Sequence, residues 1–350
     1  MKLVRVDELT GNEILARPII NEGYFEILAE GTRLKTEYIS KLKEFGITEV
    51  FILEDIAHPE YVSIIRDEVS DKCRKKIYDI LSRHTFFHDD KSSEVLGSEV
   101  EVIVDNILDE EKVVEQLYDI RERSSDIYEH SVNICAMAML IALKMELKRE
   151  RVRDIGIGCL LHDIGLRYIS FLYEGRHVDT LTDHELEEYK KHTIYGYSAL
   201  ENEKWINKES LSIILSLHER LDGSGYPLKS TEGSNGVRIA AVCDFFDEAI
   251  CGIGQERKNV TTTLELLKKD SKKFDSDILK IFFNLVAVYP SGSIVETSDG
   301  DKAVVIRQNR GFPDKPVIQL LTNKFGTKYG DKEVLDLLAY NNIKIINVID

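Results

Sequence analysis

Cys159-Leu-Leu-His-Asp-Ile-Gly165 decides how the rest of the chain is read. An apolar helical stretch ends in two adjacent metal-type ligands, and the glycine reads as a helix stop. Adjacent residues do not share a helix face, so His162 and Asp163 serve one site only if they straddle two nearby ions. The carboxylate would then bridge them. Alone, such a pair is a weak signal. Working outward, His130 lies 32 residues before His162, His192 lies 29 after Asp163, and His218 and Asp244 follow at intervals of 26. Each gap is about one helix plus a connection. If successive helices of a bundle carry these residues, all six point at one interior spot, in a set that suits two divalent metals.

Each ligand also has a plainer reading. His130 opens an apolar helix (Ile134, Ala136, Met137, Leu140, Ile141), where a lone histidine reads as a satisfied core residue. His192, within Glu188-Tyr-Lys-Lys-His192, reads alone as a surface residue. Asp244 differs, because it interrupts the apolar run Ala240-Ala-Val-Cys-Asp-Phe-Phe246, and a charge there is costly unless paired or metal-bound. His218-Glu-Arg-Leu-Asp-Gly-Ser-Gly-Tyr-Pro227 takes an apolar helix into a loop. Gly223 and Gly225 permit backbone conformations that other residues avoid and a close approach to a ligand; on its own, Asp-Gly-Ser-Gly is an ordinary terminating turn.

The 350 residues allow two or three domains, and 43% are apolar, as in globular proteins. The longest apolar run, Ile134–Leu143, is ten residues, well short of the ~20 a membrane helix needs. With no apolar leader in the first residues, a cytoplasmic location is expected. A net charge of −16 argues against broad binding to nucleic acid or membrane surfaces. It leaves room for a small anionic substrate, since two cations make their own positive field. Cys73, Cys135, Cys159, Cys243 and Cys251 form no CxxC pair and read as buried reduced thiols.

The expected fold is multi-domain and mainly α. Residues 1–58 form a small α/β cap, with strands at Leu15–Ile20, Phe25–Leu28 and Ile47–Leu53. Asn21-Glu-Gly23 is a turn, and a helix over Thr36–Phe45 stops at Gly46. A helical connecting region spans 59–122, with a polar loop at His84–Ser98. A helical bundle covers 123–287. A β-rich extension covers 288–350, with a hairpin of Ser293–Thr297 and Lys302–Arg307 and a third strand at Pro316–Leu321.

Together, His162-Asp-Ile-Gly165, His218–Pro227 and the ordered His130, His192 and Asp244 resemble the HD-GYP domain. That is the cyclic di-GMP phosphodiesterase branch of the HD metal-dependent phosphohydrolases. The resemblance covers about 120–290. It implies an all-α HD bundle with two metal ions, iron or manganese, held by His130, His162, Asp163, His192, His218 and Asp244. Asp163 would bridge them. Asp126, one turn before His130, is a candidate extra ligand for a third metal. The implied reaction is hydrolysis of a 3′–5′ phosphodiester to pGpG or GMP, with the metals lowering the pKa of a water from ~15.7 to about 7. Asp222, Gly225, Tyr226 and Pro227 are the implied substrate-side residues. The Gly-Tyr-Pro loop is also the implied surface for signalling-protein partners, and a homodimer is a further candidate assembly.

Three departures stand out. Leu166 occupies the position of a lysine, and Arg167 stays protonated and cannot replace it as a proton donor. Leu217 takes the place of one of two adjacent histidines, which weakens a third metal site or one of the core pair. The basic segment after the last aspartate is altered around Cys251–Lys258. Two alternatives follow: a weak or inactive signalling module, or a phosphohydrolase of another nucleotide.

Overall fold

The computed structural model describes residues 2–20, 26–45, 47–53, 73, 75–76, 90–108, 127–173, 176–309, 311–330, 333–340 and 342–349. Contacts divide the chain into two units, Met1–Tyr61 with Arg121–Ser124, and Val62–Ile120 with Ser125–Asp350.

In the first unit, β1 (Lys2–Arg5) pairs antiparallel with β4 (Glu49–Ile52), and β2 (Ile19–Ile20) with β3 (Glu26–Leu28). Helix α1 (Thr36–Glu44) buries Ile39 and Leu42, three residues apart on one face. With Val6, Leu15, Leu34 and Val50 they form a separate small core. Sequence patterning missed β1, whose four residues have no turn signal before them. The turn at Asn21–Gly23 and the stop at Gly46 lie outside the described residues.

The second unit begins its described part, apart from Cys73, Lys75 and Lys76, with α2 (Asp90–Leu108). This corrects the polar loop expected at His84–Ser98 from residue 90 onward, where the chain is helical; residues 84–89 lie outside the described residues. Val100, Ile103, Val104 and Ile107 are buried. Their face anchors a helix that extends back through polar residues, since adding a residue to a formed helix costs little.

The bundle follows: α3 (Ile127–Lys144), α4 (Arg149–Leu161), a 3₁₀ segment (His162–Tyr168), α5 (Asp183–Lys190), α6 (His192–Leu200), α7 (Lys208–Ser216), α8 (Asn235–Cys251), α9 (Val260–Lys269) and α10 (Ser276–Leu285). Helix α3 is buried on every side from His130 to Ala142, the mark of a central helix. It packs on α4 and α8, and α4 and α8 also pack on α7. The side chains of Thr182, Asn207, Ser234, Asn259 and Asp275 cap α5, α7, α8, α9 and α10, each contributing about 1 kcal/mol. Phe246 and Phe282 meet edge to face at 5.0 Å in the core. No described helix is long and apolar enough to cross a membrane, and all five cysteines are buried and free.

The C-terminal sheet has five antiparallel strands: β5 (Ile294–Thr297), β6 (Lys302–Arg307), β7 (Val317–Thr322), β8 (Val334–Asp336) and β9 (Ile345–Val348), in the order β8-β7-β6-β5-β9. The hairpin and third strand sit where the alternation put them. The last two strands were not read; three or four residues give too little alternation. Val295, Ala303, Val305, Ile318, Leu320 and Leu337 form the sheet's own core.

Candidate metal centre

The fold gathers the six ligands because each lies at a helix end or on a buried helix face. His130 is in the first turn of α3, His162 and Asp163 follow directly on α4, His192 starts α6, His218 follows α7, and Asp244 is midway along α8. All four histidines and Asp244 are buried. His192, which alone read as a surface residue, is 1% exposed. Gly165 corrects its reading as a helix stop, since the chain continues as a 3₁₀ turn through it. A Cβ there would overlap the backbone of His192 and Gly196. Gly165 therefore lets α6, with its ligand, close against the His162-Asp163 turn.

Three histidines are fixed through Nδ1. His130 Nδ1–H donates to Asp247 Oδ2 at 2.8 Å, His162 to Cys159 O at 2.8 Å, and His192 to Tyr189 O at 2.7 Å. That turns each Nε2 into the cluster, the arrangement outer partners impose on metal-binding imidazoles, and His192 Nε2 meets His218 Nε2 at 3.2 Å. His162 Nε2 lies 3.1 Å from Asp163 Oδ2, and His192 Nε2 lies 3.8 Å from Asp163 Oδ1. His130 Nε2 and His218 Nδ1 face the two oxygens of Asp244 at 3.5 and 3.3 Å. The donors fall into three overlapping sets: His130, His162 and Asp163; Asp163, His192 and His218; and His218, Asp244 and Glu248. Within each set the donor atoms lie within 4.8 Å of one another. Asp163 belongs to two sets, as a bridging carboxylate would.

The charges fit a cation. Both Asp244 oxygens and His162 Nε2 are buried without a hydrogen bond, which costs about 1–3 kcal/mol per group unless a charge faces it. A divalent ion among them would supply such a charge. The donor set of imidazole and carboxylate is compatible with a divalent metal.

Burial opposes ionisation of Asp244 and Asp163. For Asp244 the positive field of His218 and contacts from His130 outweigh it, and for Asp163 the fields of His162 and His192 do; both stay well below the usual carboxylate range. Burial also opposes charge on His130, but Asp244 and Asp247 hold its pKa well above normal. Burial and the field of His218 bring His192 down to about 4, so at neutral pH its ring is neutral and free to ligate.

Sequence reasoning missed two residues. Asp247 orients His130, and Glu248 brings a carboxylate to the third set. Both follow from Asp244 by helix spacing, at i+3 and i+4 on the same face. Asp126 lies outside the described residues. Leu217 is in the apolar core, and Leu166 is buried. Arg167 is exposed, with its guanidinium over the Tyr168 ring. In the altered basic segment, Arg257 donates to Cys251 O at the end of α8, and Lys258 donates to Gln255 Oε1 and Glu256 O within the loop.

The 222–227 loop borders the cluster through Tyr226, whose ring stacks on His218 at 4.8 Å. Asp222 is exposed and accepts from Ser224 N–H and Oγ–H at 3.0 and 2.6 Å. Gly223 has φ +76°. Gly225 has no such need. A Cβ there would come within 2.5 Å of His218 O, Glu219 Cα and Arg220 N, so it permits a close approach of the loop to its own backbone. The Tyr226–Pro227 peptide is cis. Buried Glu219 accepts from Leu228 N–H and Ser230 N–H at 2.6 and 2.9 Å and ties down the far side of the loop.

An HD domain family model matches residues 112–278, and a model for a KOW domain associated with HD domains matches 294–350. Cyclic di-GMP phosphodiesterase PA4108 of Pseudomonas aeruginosa is 31% identical over 196 residues, 54% of this chain and 47% of that protein. Cyclic di-GMP phosphodiesterase PdeB of Borreliella burgdorferi is 28% identical over 197 residues, 55% of this chain and 51% of that one. The chain thus spans about half the length of the curated relatives it matches. In structure it is similar to Bd1817, an HDG"Y"P protein from Bdellovibrio bacteriovorus, with a TM-score of 0.53 and 16% identity over 80% of this chain and 97% of that one. The HD model runs unbroken from before His130 to beyond Asp244, so all six candidate ligands lie within the stretch that matches the HD domain family.

Proposed function

We propose that this chain is a metal-dependent phosphodiesterase that hydrolyses cyclic di-GMP to pGpG or GMP, using two divalent ions, iron or manganese. The observation that carries the reading is Asp244, buried among three histidines with neither oxygen hydrogen-bonded. The names of the relatives supply the substrate.

His130, His162, Asp163, His192, His218 and Asp244 would hold the ions, with Asp163 shared. When bound, divalent ions supply a water nucleophile at neutral pH and neutralise charge on the phosphoryl oxygens. The protein's part is geometric. Asp247, Cys159 O and Tyr189 O fix three imidazoles, and the surrounding apolar core keeps the cluster rigid and its field unscreened. Asp222, Gly225, Tyr226 and Pro227 form the substrate-side lip, also the surface proposed for a signalling partner.

The experiment is to load the protein with Fe(II) or Mn(II) without oxygen, supply cyclic di-GMP and separate the products by chromatography. Release of pGpG or GMP is expected. Fully metallated protein that leaves cyclic di-GMP intact overturns the reading. A second reading, a slow or inactive signalling module, is favoured by Leu166, which leaves no lysine amine beside the phosphate. Tight cyclic di-GMP binding without turnover would select it.

A further inference from the structure

Glu248 stands one turn beyond Asp244 on α8. A carboxylate placed at i+4 from a buried carboxylate is repulsive, and its half-burial raises the cost. Among the described residues, no hydrogen bond or ion pair takes up its charge. Arg220, whose field reaches it, donates its Nη1 to Leu217 O and Glu219 O at 3.1 and 2.9 Å. Yet the Glu248 carboxylate comes within 4.8 Å of donor atoms of both His218 and Asp244. A cation among the three turns that repulsion into attraction. The neighbouring Leu217 side chain is fully buried in apolar core, so the position that carries a second histidine in the resembled motif brings no donor here.

We propose that Glu248 is a metal ligand, and that with His218 and Asp244 it holds a divalent ion, supplying from α8 the donor that Leu217 does not. The proposal rests on the metal-dependent reading above. It makes the centre of this chain one in which α8 gives two ligands, Asp244 and Glu248, and a third residue, Asp247, that orients His130.

The test compares the wild type with Glu248→Gln, which keeps volume, and Glu248→Ala. Each is stripped, loaded with Mn(II), desalted and analysed for metal per chain. The dissociation constant of the weakest-held ion is measured by titration, and the rise in melting temperature on adding Mn(II) is recorded. Both variants should lose one equivalent, or bind the weakest ion at least about tenfold less tightly, with a smaller rise in melting temperature. Circular dichroism matching the wild type confirms folding; should Glu248→Ala misfold, Glu248→Gln decides. Variants equal to the wild type in metal number and affinity overturn the proposal while leaving the metal-dependent reading in place. A wild type that retains no ion overturns both.

Discussion

Two aspartates of the motifs, Asp244 and Asp222, sit in opposite environments. Asp244 is fully buried in α8, faces histidines and has no hydrogen bond. Asp222 is exposed, and its oxygen takes two hydrogen bonds from Ser224 within its own turn. The first faces His130 and His218 and keeps both oxygens open to a cation; the second is satisfied without a ligand. Motif residues therefore divide into those that wait for an ion and those that shape the backbone around it, and burial with hydrogen-bond count separates the two.

The sharpest way to break that division is at Asp244. Replacing it with Ala should reduce metal content and lower the proposed cyclic di-GMP turnover by more than about 100-fold, beyond the upper end for loss of an outer-shell partner. Metal analysis beside the rate measurement checks this. Full metal occupancy in Asp244→Ala would place it among the shaping residues.

Gly165 is the shaping counterpart inside the bundle. Gly165→Ala should cost about 3 kcal/mol, the upper end for overpacking, because the new methyl meets backbone of α6 that cannot rotate away. Gly196 makes the contrast. A Cβ there meets the methyl ends of Ile214 and Ile164 at 3.1 and 3.2 Å, and side-chain ends can yield, so Gly196→Ala should cost less. Urea midpoints of both variants measure the difference. Equal midpoints would mean that the α6 approach is not what Gly165 secures.

The bundle was legible in the sequence because its ligands recur at the length of one helix plus a connection and break apolar runs. That pattern singled out His130, His162, Asp163, His192, His218 and Asp244 as candidate ligands, and the fold brings their donor atoms together. Glu248 and Asp247 were hidden because Phe245-Phe-Asp-Glu248 reads as an amphipathic step, and only α8's orientation decides which face meets the histidines. The role of Gly165 was hidden for a similar reason: a glycine after a helix signals a stop locally, whereas here it answers to a backbone some thirty residues away. Strands β8 and β9 were illegible because three or four residues carry too little alternation, and their pairing depends on neighbours distant in sequence.

Glu219 tests the outer side of the division. Its buried carboxylate accepts two backbone N–H groups of the 228–230 turn. Glu219→Ala leaves both donors without that partner and should cost about 2 kcal/mol, with metal content unchanged. A lower melting temperature and faster proteolysis within 222–230 are the measurements. Loss of metal instead would move Glu219 to the ion side.

Asp222 should give the smallest effect on the fold. Its hydrogen bonds are local and solvent-exposed, so Asp222→Ala should change stability by less than about 0.5 kcal/mol and leave metal content alone. If Asp222 belongs to the proposed substrate-side lip, KM for cyclic di-GMP rises about tenfold, equivalent to about 1.4 kcal/mol of binding. An unchanged kcat per bound metal then separates binding from chemistry. An unchanged KM would confine Asp222 to its turn and leave Tyr226, stacked on His218 beside the cluster, as the residue of the loop best placed to meet the nucleotide.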